Sequence, residues 1–270
     1  MTKIISVCNQ KGGTGKTTTA VNLSAALAEF NKRVLLIDLD PQGNASSGVG
    51  INKSELKVSA YDLLLGRASA QEVIIKGIIK NLDVMPCNIN LTGAEIELVG
   101  AISRETRLKK NIEPVISDYD FIFIDSPPSL GMLTLNALVA CRSIIIPIQC
   151  EFYALEGVSQ LLNTIGLIRD NLNPKIEIEG VLLTMADFRT NLTNEVIKEI
   201  RMFFKEKVYS VVVPRNVRLS EAPSHGRPIN LYDATSIGAR KYKELAIEVA
   251  GEGDWENVQS GHFKENQVPE

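Results

Sequence analysis

Two lysines, three glycines and three threonines crowd into eight residues near the start of the chain, Lys11-Gly12-Gly13-Thr14-Gly15-Lys16-Thr17-Thr18. Glycines at this density let a backbone curl so that its N–H groups converge on an anion, with no Cβ in the way. A lysine at the end of such a turn reaches the β and γ phosphates of a nucleotide. The hydroxyl after it, here Thr17, holds Mg²⁺. The general pattern G-x-x-x-x-G-K-[ST] fails at its first position, where Gln10 stands, and a second lysine, Lys11, precedes the glycines instead. That is the deviant form of the Walker A loop.

Carboxylates of matching type occur twice more. Val34-Leu35-Leu36-Ile37 runs into Asp38-Leu39-Asp40, and Phe121-Ile122-Phe123-Ile124 runs into Asp125. An aspartate at the exit of a buried strand suits a Walker-B role, holding Mg²⁺ through its water shell, and Asp125 is assigned to it. Asp40 could orient or polarise an attacking water. The plain alternative for each is a turn aspartate that caps a loop or helix. Their place beside a phosphate loop favours the chemical reading.

These residues need elements to hold them. Ile4-Ile5-Ser6-Val7 reads as a buried strand. After the glycines, Ala20, Leu23, Leu27 and Phe30 share one helical face. Further strands are expected at Val34–Asp38, 82–86, Phe121–Asp125, 143–148, 178–184 and 209–213, and helices at 94–111, 155–172 and 193–207. Most strand candidates are continuous apolar runs, as strands covered on both faces are. The fold class expected is α/β: a single-domain, doubly wound, mostly parallel sheet with helices on both faces. In such sheets ligands sit at the carboxyl ends of the strands, where the motifs fall. Residues 1–250 are expected to form the domain and 251–270 a polar, loosely ordered tail.

The totals agree. The chain has 270 residues and a net charge of −3, so nucleic acid could be held only by a local basic patch. Cys8, Cys87, Cys141 and Cys150 show no C-x-x-C spacing and are expected to be buried, reduced thiols. With His225 and His262 the only histidines, a histidine-rich metal site is excluded. The start, Met1-Thr2-Lys3-Ile4, reads as running straight into a strand without a signal peptide, and no apolar run is long enough to span a membrane.

With the motifs in view, the sequence resembles the ParA/Soj chromosome-partition ATPases of the MinD/ParA superfamily, from Lys3 to about Val249. The marks are Asn9 through Thr18, Asp38-Leu39-Asp40-Pro41-Gln42-Gly43-Asn44, Asp125-Ser126-Pro127-Pro128-Ser129-Leu130-Gly131, and Pro214-Arg215-Asn216-Val217-Arg218-Leu219-Ser220-Glu221-Ala222-Pro223-Ser224-His225-Gly226. The resemblance implies a cytoplasmic, nucleoid-associated, Mg²⁺-dependent ATPase. ATP is sandwiched in a homodimer, Lys11 reaches the partner's phosphates, and Pro214 and Asn216 lie beside the adenine. Lys11, Lys16 and Asp40 are then the catalytic set. A cation supplied in trans offsets charge on the transferring phosphoryl group.

The family also binds double-stranded DNA without sequence preference and works with a ParB-type centromere-binding protein that stimulates hydrolysis. Arg189 and Arg218 are the favoured DNA contacts, with Lys198, Arg201 and Lys205 on one face of the 193–207 helix, opposite Val196, Ile200, Phe203 and Phe204. Taken alone, that helix reads as a solvated amphipathic surface helix. Arg215, Arg227 and Arg240 add basic charge, and service to the nucleotide loop is the alternative role for Arg215. A MinD-like membrane switch is the alternative reading, but it needs a basic amphipathic C-terminal helix. The segment after Gly251 has acids, glycines and no apolar stripe. An iron–sulfur carrier lacks suitably spaced cysteines. A small-molecule ligase on the same scaffold would need a second set of acid–base residues.

Overall fold

The computed structural model describes residues 1–151 and 154–251. Of the expected tail, everything after Gly251 lies outside the described residues. Among the described residues eight strands form one sheet: β1 (Lys3–Val7), β2 (Val34–Asp38), β3 (Ile75–Ile79), β4 (Leu82–Met85), β5 (Phe121–Asp125), β6 (Ser143–Gln149), β7 (Glu177–Ala186) and β8 (Val208–Pro214). Their order is β3-β4-β2-β5-β1-β6-β7-β8. Only β3 and β4 pair antiparallel; the other pairings are parallel.

The helices are α1 (Lys16–Glu29), α2 (Asn44–Gly48), α3 (Ala60–Leu65), α4 (Ala70–Val73), α5 (Leu91–Glu97), α6 (Arg107–Ile112), α7 (Met132–Ala140), α8 (Glu156–Asn171), α9 (Asn191–Phe204), α10 (Val217–Glu221), α11 (Ile229–Tyr232) and α12 (Ile237–Ala250). They cover both faces. Alternate residues along one strand serve opposite layers. Leu35, Ile37, Ile122 and Ile124 pack with α3, α5, α6, α7 and α8. Leu36, Phe121, Phe123 and Val7 pack with α1 and α12. Because both layers are apolar, β2 and β5 are buried throughout, which is why they read as unbroken apolar runs.

Strand order reverses at β1, whose neighbours are β5 on one side and β6 on the other. A crevice opens at such a switch point, and the glycine loop leaves β1 there. Gly15 takes φ 88° at the first turn of α1, a left-handed conformation open to glycine at little cost.

The structure departs from the sequence expectation at three places. β3 was not expected: Ile75-Lys76-Gly77-Ile78-Ile79 is half-exposed at the sheet edge, and Gly77 at φ 65° interrupts its alternation. A tight turn with Asn81 at φ 65° returns it to β4. The helix expected over 94–111 is broken. α5 ends at Glu97, Ser103 takes φ 54°, and α6 starts again at Arg107. The helix over 193–207 ends at Phe204, where Lys205 turns to φ 50°.

One backbone contact joins distant parts of the chain. Gly50, just after α2, and Gly226, after α10, both have positive φ, and a Cβ added to Gly226 would stand 2.7 Å from the Gly50 Cα. Only two glycines can approach so closely.

Candidate functional site

Sheet register sets the carboxylates level. Asp125 pairs with Val7 of β1 on one side and with Asp38 of β2 on the other. The glycine loop starts immediately beyond Val7, so Thr17 at the first turn of α1 comes down onto Asp125. Its Oγ1 donates to Asp125 Oδ2 at 2.7 Å. Asp125 is fully buried, and its Oδ1 has no hydrogen-bond partner among the described residues. Burial, with Asp38 and Asp40 adding like charge, raises its pKa well above the carboxylate range. A buried carboxylate oxygen without a partner, beside a hydroxyl, fits the outer shell of a hard divalent cation.

The loop is built from buried polar contacts. Asn9 donates to the Pro147 carbonyl at 2.7 Å and accepts the Lys11 N–H at 3.1 Å. Thr184 Oγ1 donates to the Thr14 carbonyl at 2.9 Å. Lys16 folds across the loop, its Nζ 3.2 Å from the Lys11 carbonyl. Burial lowers the Lys16 pKa while Asp125 opposes the shift, so an anionic ligand here would find a poorly solvated ammonium to pair with.

Lys11 is engaged within its own chain. Its Nζ lies 3.4 Å from Glu151 Oε2, and the Arg215 guanidinium takes Glu151 Oε1 at 3.0 Å. Glu151, just past β6, was not expected. Its carboxylate gathers groups from the glycine loop and from the segment after β8, a meeting that only the folded sheet makes visible.

Asp38 and Asp40 divide their work. Asp38 is fully buried and accepts the Asp40 N–H at 3.2 Å, the Ser46 N–H at 2.8 Å and the Ser46 hydroxyl at 2.7 Å. Asp40 uses Oδ1 to accept the Gln42 N–H at 3.0 Å, and no hydrogen bond among the described residues reaches its Oδ2. Asp40 is therefore the one with an oxygen to spare for a ligand.

A cavity of about 740 Å³ lies beside the loop, lined by Gly15, Thr18, Met185, Phe188, Pro214 and Asn216 among others. Pro214 and Asn216, expected beside a base, thus share one cavity with the glycine loop. Asn216 also caps α10 by accepting the Leu219 N–H at 3.4 Å. Met185, at φ 52°, and the half-exposed Phe188 were missed. Their only signal was a position at the end of β7.

The basic residues are less free than their sequence suggests. Arg189 is bidentate to Asp187, pulling that carboxylate down to about 2. Arg218 is shared between Glu221 at 2.9 Å and Asp233 at 3.4 Å. Arg201 reaches the Tyr209 and Ser210 carbonyls at 3.4 Å, and Lys198 is exposed between Glu195 and Glu199 on α9. Two expectations for this helix are corrected. Lys205 falls off its end in a left-handed turn, so it does not continue the Lys198–Arg201 row. Phe203 is 56% exposed, its ring meeting Phe204 edge-on at 4.8 Å rather than being buried with Val196 and Ile200.

All four cysteines are free and buried, as expected; burial pushes the Cys8 thiol up to about 12. No group of three or more His, Cys, Asp and Glu side chains that could hold a metal ion and no helix long and apolar enough to cross a membrane occurs among the described residues.

Comparison with known proteins shows the family and the fold. A family model described as an AAA domain matches residues 2–178. Sporulation initiation inhibitor protein Soj of Bacillus subtilis is 59% identical over 253 residues, covering 94% of this chain and 100% of that protein. Chromosome partitioning protein ParA of Myxococcus xanthus is 52% identical over 247 residues, covering 92% and 87%. Among solved structures, cobyrinic acid a,c-diamide synthase from Mycobacterium smegmatis with bound ATP analog and magnesium superimposes with a TM-score of 0.80 at 36% identity, covering 91% of this chain and 93% of that one. Asp38 and Asp125 level in the sheet, with Thr17 on Asp125 and a glycine loop with two lysines above, in a chain more than half identical to Soj and ParA over nearly its whole length, place this protein in the Soj/ParA family of P-loop ATPases.

Proposed function

We propose that this chain is a DNA-partitioning ATPase whose ATP-bound form is a sandwich dimer. The observation that carries the reading is the pair of lysines: Lys16 folded into the loop, and Lys11 outside it with its ammonium half-exposed on the same face. Lys16 and the loop amides hold the β and γ phosphates. Thr17 and Asp125 hold Mg²⁺, which when bound offsets charge on those phosphates. Pro214 and Asn216 line the base cavity. Asp40 orients the water that attacks the γ phosphorus, giving ADP and phosphate. Lys11 leaves Glu151 and crosses to the nucleotide of the second copy, so the dimer depends on the γ-phosphate.

In the dimer, Arg189 and Arg218 of both copies exchange their carboxylate partners for DNA phosphates. Lys198 and Arg201 extend the patch. Contacts of this type carry no base code and suit non-specific binding on the nucleoid in the cytoplasm. A ParB-type protein bound at a centromere stimulates hydrolysis and releases the dimer. The likeness to the diamide synthase structure is a likeness of scaffold and nucleotide site. The higher identity to Soj and ParA favours partition over amide synthesis.

Lys11→Ala tests the reading. Its mass by light scattering is expected to stay that of a monomer with ATP and Mg²⁺, where the parent chain doubles. Loss of turnover should reach the 10³ to 10⁵ range of a finger residue. A variant that still doubles with ATP would refute the trans role.

A further inference from the structure

Cys87 lies beyond β4, far in sequence from any motif, yet it touches the loop that carries Asp40. Its thiol donates to the Asp40 carbonyl at 2.8 Å. Its own N–H donates to Ser46 Oγ at 3.1 Å, and that hydroxyl donates to Asp38. The Asp40 carbonyl also accepts the Gly43 N–H at 2.7 Å. Both main-chain groups of Asp40 are therefore held: the N–H by Asp38, the carbonyl by Cys87 and Gly43. A side chain at Gly43 would crowd Lys53 and the Cys87 carbonyl, so the loop needs glycine there.

We propose that Cys87 is a positioning residue for ATP hydrolysis: its thiol, donating to the Asp40 carbonyl, fixes the aspartate that orients the attacking water. The inference rests on the reading of Asp40 given above. Cys87 touches neither nucleotide nor water and acts through Asp40. The thiol is fully buried; burial and the Asp38 carboxylate, which also lies within its reach, raise its pKa, so it remains protonated, and at 2.8 Å the Asp40 carbonyl is the acceptor its geometry favours. Placement errors far smaller than a bond length matter in such a site, where a shift of about 1 Å costs on the order of 10²-fold in rate. The energetic gain from one hydrogen bond is modest, so the effect of removing it belongs in turnover rather than in folding.

The test compares Cys87→Ala, Cys87→Ser, Ser46→Ala and Asp40→Ala in the full chain. Cys87→Ala is expected to lower kcat about tenfold, the equivalent of one hydrogen bond. KM for ATP and the ATP-dependent dimer mass stay unchanged. Cys87→Ser, whose hydroxyl can donate to the same carbonyl, recovers most of the rate. Ser46→Ala gives the same loss confined to kcat, while Asp38 keeps the Ser46 N–H. The proposal is overturned if Cys87→Ala turns over at the parent rate, if it loses ATP binding together with kcat, or if the serine variant is as slow as the alanine one. Should Cys87→Ala fail to fold, Cys87→Val, which fills the space without a donor, decides in its place, and a normal kcat there overturns the proposal. Asp40→Ala separates the two readings. Normal hydrolysis in that variant removes Asp40 from the chemistry whatever Cys87 does.

Discussion

Asp125 holds a carboxylate where an isolated chain gains nothing from one. It is buried, half of it lacks a partner, and its pKa is raised chiefly by burial. An acid whose folded pKa lies above its unfolded value withholds stability as pH climbs from the ordinary carboxylate range through the raised value. Asp125→Asn should therefore stabilise the nucleotide-free chain at pH 8, by on the order of 1 kcal/mol or a few degrees in Tm. The gap should close toward pH 4, and the variant should lose the stabilisation that Mg²⁺ and ATP give the parent. Differential scanning calorimetry across pH reads both. Glu151 poses the complementary case, a carboxylate that holds Lys11 and Arg215 at home. Its ion pairs are exposed and worth little to the fold. Glu151→Gln should leave the Tm nearly unchanged yet lower the ATP concentration at which the dimer mass appears, which titration by light scattering would show. The phosphate loop, Asp40 and Asp125 were legible as types and spacings. Glu151 and Cys87 were not, because their partners lie 140 and 47 residues away and nothing local marks them.

At the scale of elements, the sheet centre was easy to read and its margins were not. β2, β5 and β6 carry unbroken apolar runs up to a polar residue at their carboxyl ends, because helices cover both faces. β3 is a half-exposed edge strand with a lysine and a left-handed glycine, so neither periodicity marks it. The segment 94–111 has enough apolar residues for one helix, yet Ile96, Val99 and Ile102 stand exposed, and Ser103 turns the chain between two short helices. Apolar spacing alone could not show that break. The meeting of Gly50 with Gly226 likewise joins elements that sequence keeps far apart. Gly226→Ala is expected to cost about 1–2 kcal/mol from its left-handed φ, with more from the clash with Gly50. Urea unfolding would read the loss. Nucleotide affinity should weaken with it, since α10 begins at the cap of Asn216.

The whole chain is acidic by three charges, so the proposed DNA binding would need a local basic patch, doubled in the proposed dimer. Each neutralised phosphate contributes about −0.9 to the slope of log K against log salt. The slope for the ATP-loaded parent should be about twice that of Lys11→Ala, which stays monomeric. Arg218→Ala should reduce it by about 1.8 in the dimer, one phosphate per copy. Filter binding at several salt concentrations measures both. If the slopes of parent and Lys11→Ala coincide, DNA is held by single copies.

The glycine-to-glycine contact carries a mechanical meaning. Gly50 ends the stretch that starts at Asp40, and Gly226 ends the stretch that starts at Asn216 and carries Arg218. With backbone against backbone and no side chain to cushion them, neither stretch can advance without displacing the other. If Asp40 and Arg218 act as proposed, a movement begun at the first has a backbone route to the second, one that bypasses the sheet.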